Sequence, residues 1–155
     1  MTAEARLAEL GIELPEVFPP AGLYVGAVRT GDLLFLSGAG PVRPDGTIVT
    51  GKIGRDIEPD VGRHAARLTG LQLLATMRSE LGSLDRVARV VKILGMVNGA
   101  PGFNRTPQII DGCSQLFIDV FGEDGRAARS AVGMAELPFD ISVEIEAIVE
   151  VRPDP

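Results

Sequence analysis

The chain has 155 residues and a mass of 16.4 kDa, the length of one domain and enough to bury roughly 70% of the surface its unfolded form exposes. Its 15 lysines and arginines against 21 aspartates and glutamates leave a formal charge of -6, which withholds the basic field that nonspecific nucleic-acid binding requires. One cysteine, Cys113, and one histidine, His64, exclude an internal disulfide and a Cys/His zinc cluster, and no apolar run nears the roughly 20 residues of a membrane span.

Residues Ala3 to Leu10 carry helix formers with Leu7 and Leu10 at helical spacing, Thr2 as N-cap and Gly11 as the stop. Met1 to Arg6 include an acid and begin no apolar core of signal-peptide length, so the expectation is a soluble cytoplasmic protein. Pro15, Pro19 and Pro20 forbid a helix between Ile12 and Gly22, which makes residues 1–22 a short helix plus an extended lead-in, and residues 23–152 the single domain. Tyr24 to Arg29 and Leu33 to Ser37 are β-rich runs around Thr30-Gly31-Asp32, a hairpin signal. Ser37-Gly38-Ala39-Gly40-Pro41 then breaks the strand, and Arg43-Pro44-Asp45-Gly46 is a turn.

From Asp60 to Leu81 apolar residues recur three or four apart, with Pro59 near the first helical position and Gly82 just past the end. Val87 to Val97, rich in β-branched and aliphatic residues, is a largely buried strand. Thr106-Pro107 is an N-cap and N1 pair for a second helix that shows Ile110, Cys113, Phe117 and Val120 on one face and ends at Gly122. Ala128 to Glu136 and Ile141 to Val151 are two further strands, joined by Leu137-Pro138-Phe139-Asp140. This order predicts an α+β fold, a mainly antiparallel sheet with two helices packed on one face. The other face must then meet solvent or another subunit.

The last strand alternates Val143, Ile145, Ala147, Val149 and Val151 with Glu144, Glu146, Ile148 and Glu150, while Arg129, Ala131, Gly133 and Ala135 share a face of the strand before it. If the four loop residues close a hairpin, Gly133 stands opposite Glu144 and Ala131 opposite Glu146, so Arg129 and Glu144 share a face about 13 Å apart. A small carboxylic acid would fit between them, gripped by Arg129 and presented to a water that Glu144 orients or deprotonates. On pattern alone the plainer reading, an ordinary ion pair of Arg129 and a solvated acidic strand face, outweighs this one.

The stretch Arg129-Ser130-Ala131-Val132-Gly133-Met134-Ala135-Glu136-Leu137-Pro138, followed by Val143-Glu144-Ile145-Glu146-Ala147-Ile148, resembles the terminal signature of the RidA/YjgF reactive-intermediate deaminase family. Tyr24-Val25 and Ser37-Gly38 resemble its opening strands, and the order of elements agrees from about Leu23 to Val151. The resemblance implies a chorismate-mutase-like fold assembled as a homotrimer, small-molecule clefts between subunits, no cofactor, and no nucleic-acid or membrane partner. It further implies hydrolytic deamination of enamines and imines bearing a carboxylate, releasing ammonia and a 2-keto acid. Arg129 would hold the carboxylate and Glu144 would orient the water. The backbone of Gly38 and Ala131 matches substrate contacts, and Tyr24 an aromatic at the edge of the site.

Two positions depart from the family pattern. Ala131 stands where a cysteine is usual, which removes thiol chemistry there, and an asparagine of typical deaminases aligns near Asp111 or Gly112. The Arg-Ser-Ala-Val-Gly version of the signature resembles a subgroup of less settled activity. A non-catalytic keto-acid-binding or regulatory trimer, and more weakly an endoribonuclease, are therefore the alternatives. With a single histidine and no tryptophan, the residues argue against the ribonuclease.

Among the remaining polar residues, Cys113 on the apolar stripe reads as a buried small hydrophobe and His64 as a surface or capping residue. Asp56, Glu58 and Asp60 serve the first turn of the long helix at least as well as a divalent cation, so no metal is assigned. Phe117 and Phe121, four apart, are core.

Overall fold

The computed structural model describes residues 1–153. Three helices, α1 (Ala3–Glu9), α2 (Pro59–Leu81) and α3 (Thr106–Phe121), accompany five strands, β1 (Ala27–Thr30), β2 (Leu33–Ala39), β3 (Val87–Asn98), β4 (Ala128–Met134) and β5 (Val143–Val151). The helix limits follow local chemistry. Thr2 Oγ1 accepts from Ala5 N at the start of α1, Pro59 opens α2, and Gly82 (φ 79°) ends it by donating its N–H to Arg78 O. Thr106 is the first helical residue of α3 rather than its N-cap, which is Arg105. Its hydroxyl donates instead to Ala131 O on β4 at 2.9 Å. The first strand begins at Ala27, because Val25 and Gly26 give their carbonyls to Ser37 outside the regular ladder.

The sheet order is β1-β2-β5-β3-β4, with every pairing antiparallel except β3 with β4. The expected terminal hairpin does not form. β3 lies between β4 and β5, pairing Met96 with both Val132 and Glu144 and Ile93 with both Arg129 and Ala147. The reason is the crossover: α3 returns the chain parallel to β3, so β4 takes the outer edge, and the Leu137–Asp140 loop must carry it past β3. Phe139 and Asp140, both at φ 57°, turn the backbone there, and Asn98 Nδ2 holds Asp140 Oδ1 at 2.9 Å.

Helices α2 and α3 cover one face, where Leu34, Ile93, Val97, Val143, Ile145 and Val149 meet Leu74, Met77, Ile110, Leu116 and Phe117, all 1% exposed or less. Phe117 and Phe121 pack edge to face at 6.3 Å between centroids. Residues 1–22 are bound to this layer. Leu7 is buried, and the Glu4 carboxylate accepts from Arg78 Nε and Nη2 and from Leu84 N. The opposite face has no helix over it. Val28, Phe35 and Val132 are exposed there, and Val28 and Phe35 line a trough of about 400 Å³ with Lys92, Leu94, Glu146 and Ile148. No helix among the described residues is long and apolar enough to cross a membrane.

Candidate functional site

Arg129 projects from β4 to the helix side of the sheet. Its Nη1 donates to Asp111 Oδ1 at 2.7 Å and to Ser114 Oγ at 3.1 Å, both on α3, and Nη2 reaches Pro107 O at 3.4 Å. Asp111 and Ser114 are three apart on the helix and so lie on the same face. They grip one edge of the guanidinium and, among the described residues, leave Nε unbonded and Nη2 with only a long contact. That remaining Nε–Nη2 edge has the spacing for a carboxylate to accept two parallel hydrogen bonds. The Arg129 side chain is 23% exposed, opening on a cavity of about 370 Å³ that Arg63, Gln115 and Arg126 also line. Ala131, one strand repeat along, has its carbonyl occupied by Thr106.

Glu144 projects from β5 to the uncovered side. The ladder between β2 and β5 is interrupted between Leu36 and Ala39, and the Glu144 carboxylate lies against the gap. A Cβ on Gly38 would sit 2.7 Å from Glu144 Oε2 and 2.9 Å from its Cδ, so only glycine lets the acid lie on this backbone. Burial, and then the like charge of Glu146, push the Glu144 carboxyl above its ordinary value. Tyr24, half exposed, hangs over the same strand end, its hydroxyl accepting from Ala21 N at 3.3 Å. Tyr24, Ser37 and Gly38 share the wall of one cavity.

The site residues therefore fall into two groups. Glu144, Gly38 and Tyr24 form one, and Arg129, Asp111 and Ala131 the other. Contrary to the hairpin expectation, Arg129 and Glu144 do not share a face. Strand partners point the same way, and Arg129 lines up with buried Ile93 and Ala147, whereas Glu144 lines up with Met96 and Val132 on the open side. Two strand spacings and three residue levels separate them, about 10 Å in each direction, and they stand on opposite faces of the sheet.

Asp111, expected near the substrate, is the counter-ion of Arg129, as the plainer reading of an ion pair had it. Ser114, which completes that grip, was missed. Its i,i+3 relation to Asp111 was readable, but not that β4 would lie under both. A second unread group is Lys52, whose Nζ donates to Asn98 Oδ1 and Ala135 O and so ties the loop before α2 to the β4–β5 loop. Cys113 is buried, its thiol pushed up to about 12 by burial, and His64 is exposed. Asp56 is spent locally, bonding Arg55 and Lys52 N, and its carboxyl is held down at about 2 chiefly by Arg55. No cluster of three or more His, Cys, Asp or Glu side chains suited to a metal occurs among the described residues.

Residues 4–148 match the family model described as "YjgF/chorismate_mutase-like, putative endoribonuclease". The protein TCP17 of Trypanosoma cruzi is 44% identical over 149 residues, covering 96% of this chain and 93% of its own. A 2-iminobutanoate/2-iminopropanoate deaminase of Dermatophagoides farinae is 32% identical over 142 residues, covering 91% and 95%. Among solved structures, the protein Atu1372 of Agrobacterium tumefaciens superposes with a TM-score of 0.88 at 43% identity, over 98% of this chain and 93% of that one.

Proposed function

The chain belongs to the YjgF/chorismate-mutase-like family, and from that premise we propose that it hydrolyses reactive enamines and imines bearing a carboxylate, in clefts formed between copies of itself. The observation that carries this reading is the separation of two complementary half-sites. A guanidinium with one free bidentate edge stands on one side of the sheet, and a carboxylate of raised proton affinity stands on the other. Neither half suffices alone, and one chain cannot bring both to a small molecule. A neighbouring copy laid on the uncovered face can. The exposed Val28, Phe35 and Val132 supply the apolar surface such a contact buries. A homotrimer is the assembly proposed, and light scattering should give three times the mass of one chain. A mass of 16.4 kDa would dissolve the shared cleft.

The chemistry asks little beyond positioning. The enamine tautomerises to the imine, the carboxylate docks on Arg129, and water adds to the C=N carbon as Glu144 takes its proton. That proton passes to the imine nitrogen to give a neutral carbinolamine, and on collapse the hydroxyl proton follows through Glu144 to the nitrogen, so the C–N bond breaks, ammonia leaves and a 2-keto acid remains. General-base help of this kind is worth about 10²–10⁴ in rate, and fixing the imine beside the water adds the entropic part. No cofactor enters these steps. The similarity to the Dermatophagoides farinae deaminase supports the substrate class. The direct test generates 2-aminoacrylate in place and follows ammonia release. Faster release than in buffer, lost in Arg129→Ala and Glu144→Gln, is expected. Equal decay with all three proteins and with buffer would remove the activity.

The raised proton affinity of Glu144 gives a pH signature. The base must be ionised to accept a proton from water, and its ionised form is lost at higher pH than that of an ordinary glutamate. Activity should therefore fall on acidification through a limb lying above 4.5, the unperturbed carboxyl value. Glu146→Gln removes the like charge and should move this limb to lower pH. A limb that stays in place in Glu146→Gln would assign it to another group.

The alternative of keto-acid binding without turnover has one observation in its favour. Asp111 already neutralises Arg129, which weakens the pull on an anion. In that case keto acids bind saturably through Arg129 while imine decay stays at the buffer rate.

A further inference from the structure

The cavity on which Arg129 opens carries more positive charge than one carboxylate uses. Arg63 of α2, Arg126 and Arg129 all line it, against a single acid, Asp111, and Asp111 is engaged by Arg129. Three guanidiniums thus share a space of about 370 Å³ in a chain whose formal charge is -6. Like charges gathered in this way repel one another, and an anion that enters relieves the repulsion.

The fold brings the two further arginines there by separate routes. Gly112 has no side chain, which lets α2 cross α3 so closely that a Cβ on it would meet the Arg63 carbonyl and stand 3.2 Å from Arg63 Cγ. The stem of Arg63 therefore lies against α3 beside Asp111, the residue that holds Arg129. Its guanidinium has no hydrogen bond or ion pair among the described residues. Arg126, three residues before Arg129, gives Nε and Nη2 to Glu123 at 3.1 and 3.3 Å, which leaves Nη1 unbonded among the described residues. That pair is open to water, its side chains 64% and 82% exposed, and pairs of this kind hold weakly.

A carboxylate docked on the free edge of Arg129 stands at the wall of this cavity, and Arg63 is still without a counter-ion once it is there. One unpartnered guanidinium matches the single charge of a second carboxylate, which it can take with two parallel bonds. Resting on the imine-hydrolysis reading above, we propose that the substrate is dicarboxylic: the carboxylate next to the imine docks on Arg129, and a second one at the end of the side chain turns into the cavity and is held by Arg63, with Arg126 beside it. Arg63 and Arg126 select the substrate and take no part in the proton transfers.

Glutamate and its γ-methyl ester, each converted to the 2-imino acid in place by an amino-acid oxidase, differ in this charge and little else. The wild type should prefer the dicarboxylate by about tenfold or more in kcat/KM, because the ester forfeits charge-assisted hydrogen bonds. Arg63→Gln should bring the two rates together, and Arg126→Gln should lower their ratio by a smaller factor. Arg63→Lys keeps the charge, should retain part of the preference, and serves if the glutamine variant does not fold. Arg67→Gln removes the same charge from the same helix outside the cavity and should leave the ratio where it is. Equal rates for the two compounds in the wild type, or a ratio that survives in Arg63→Gln or falls as far in Arg67→Gln, overturns the assignment while leaving imine hydrolysis intact. If no imine is hydrolysed, calorimetric binding of the two matching 2-keto acids decides. Tighter binding of the diacid that Arg63→Gln removes and Arg67→Gln does not sustains the cavity although the catalytic reading fails, and equal binding overturns both.

Discussion

Equal amounts of Arg129→Ala and Glu144→Gln chains, unfolded and refolded together, should regain about a quarter of the wild-type imine-hydrolysis rate, although neither regains any when refolded alone. Each substitution is severe by itself. Removing the guanidinium forfeits two charge-assisted hydrogen bonds to the substrate, each worth about 1.5–3 kcal/mol, so kcat/KM falls by at least about 10². Removing the base forfeits about 10²–10⁴. In a closed ring every cleft takes its arginine side from one chain and its glutamate side from the next. With random assembly, half the clefts have an intact arginine side and half of those an intact glutamate side, which gives the quarter. Were both groups drawn from one chain, no mixed cleft would be whole and the mixture would stay at the level of its parents. The opposite-face placement of Arg129 and Glu144 requires the first result, so recovery tests the geometry apart from the identity of the substrate.

That placement was the part of the molecule hardest to read in the chain. Local signals were sound. Pro59 and Gly82 bound the long helix, the alternation from Val143 to Val151 marked which side of the last strand is buried, and three prolines kept Ile12–Gly22 free of regular structure. These are short-range effects of donors, φ angles and side-chain period. Strand neighbourhood is set by competition among distant pairings. Residues 128–151 offer two strands with a turn between them, which is also how a hairpin looks. What overrides it is β3, which gains partners on both sides by inserting, and the helical return through α3, which makes the β3–β4 pair parallel. A one-strand insertion left the alternation of each strand untouched and reversed the relation between Arg129 and Glu144. The family resemblance implied clefts between subunits, and the proposed function takes up that arrangement for the two faces of the sheet. Arg63 and Ser114 were silent for a similar reason, since each is an unremarkable polar residue on a helix until α3 or β4 is laid against it.

Gly112→Ala should lower the melting temperature by roughly 6–12 °C, at about 2–4 °C per kcal/mol for a chain of this size. Two effects oppose each other. Alanine is the better helix former by about 1 kcal/mol, so in an exposed helix this change would stabilise. Gly112, however, lies where α3 crosses α2, and a Cβ there would overlap the Arg63 carbonyl oxygen and crowd its carbonyl carbon. The obstacle is backbone, so no rotamer relieves it and the helices must part, loosening the contacts that Cys113 and Leu116 make beside Gly70. Overpacking of this kind typically costs about 1–3 kcal/mol and occasionally more; with the helix gain subtracted, a net loss of about 3 kcal/mol requires a cost of about 4, above the typical range, as an overlap with unyielding backbone demands. Gly62→Ala is the control, because its Cβ meets first the far end of the Ile53 side chain, which can turn away, and it should lose less than half as much. The substitution also reaches the site. Asp111 and Ser114 flank residue 112 and hold Arg129, so a displaced α3 carries the carboxylate anchor with it, and KM should rise at temperatures where the variant is still folded. A Gly112→Ala protein that melts at or above the wild type would mean that the two helices do not cross at this contact, and the grip on Arg129 would have to be built differently.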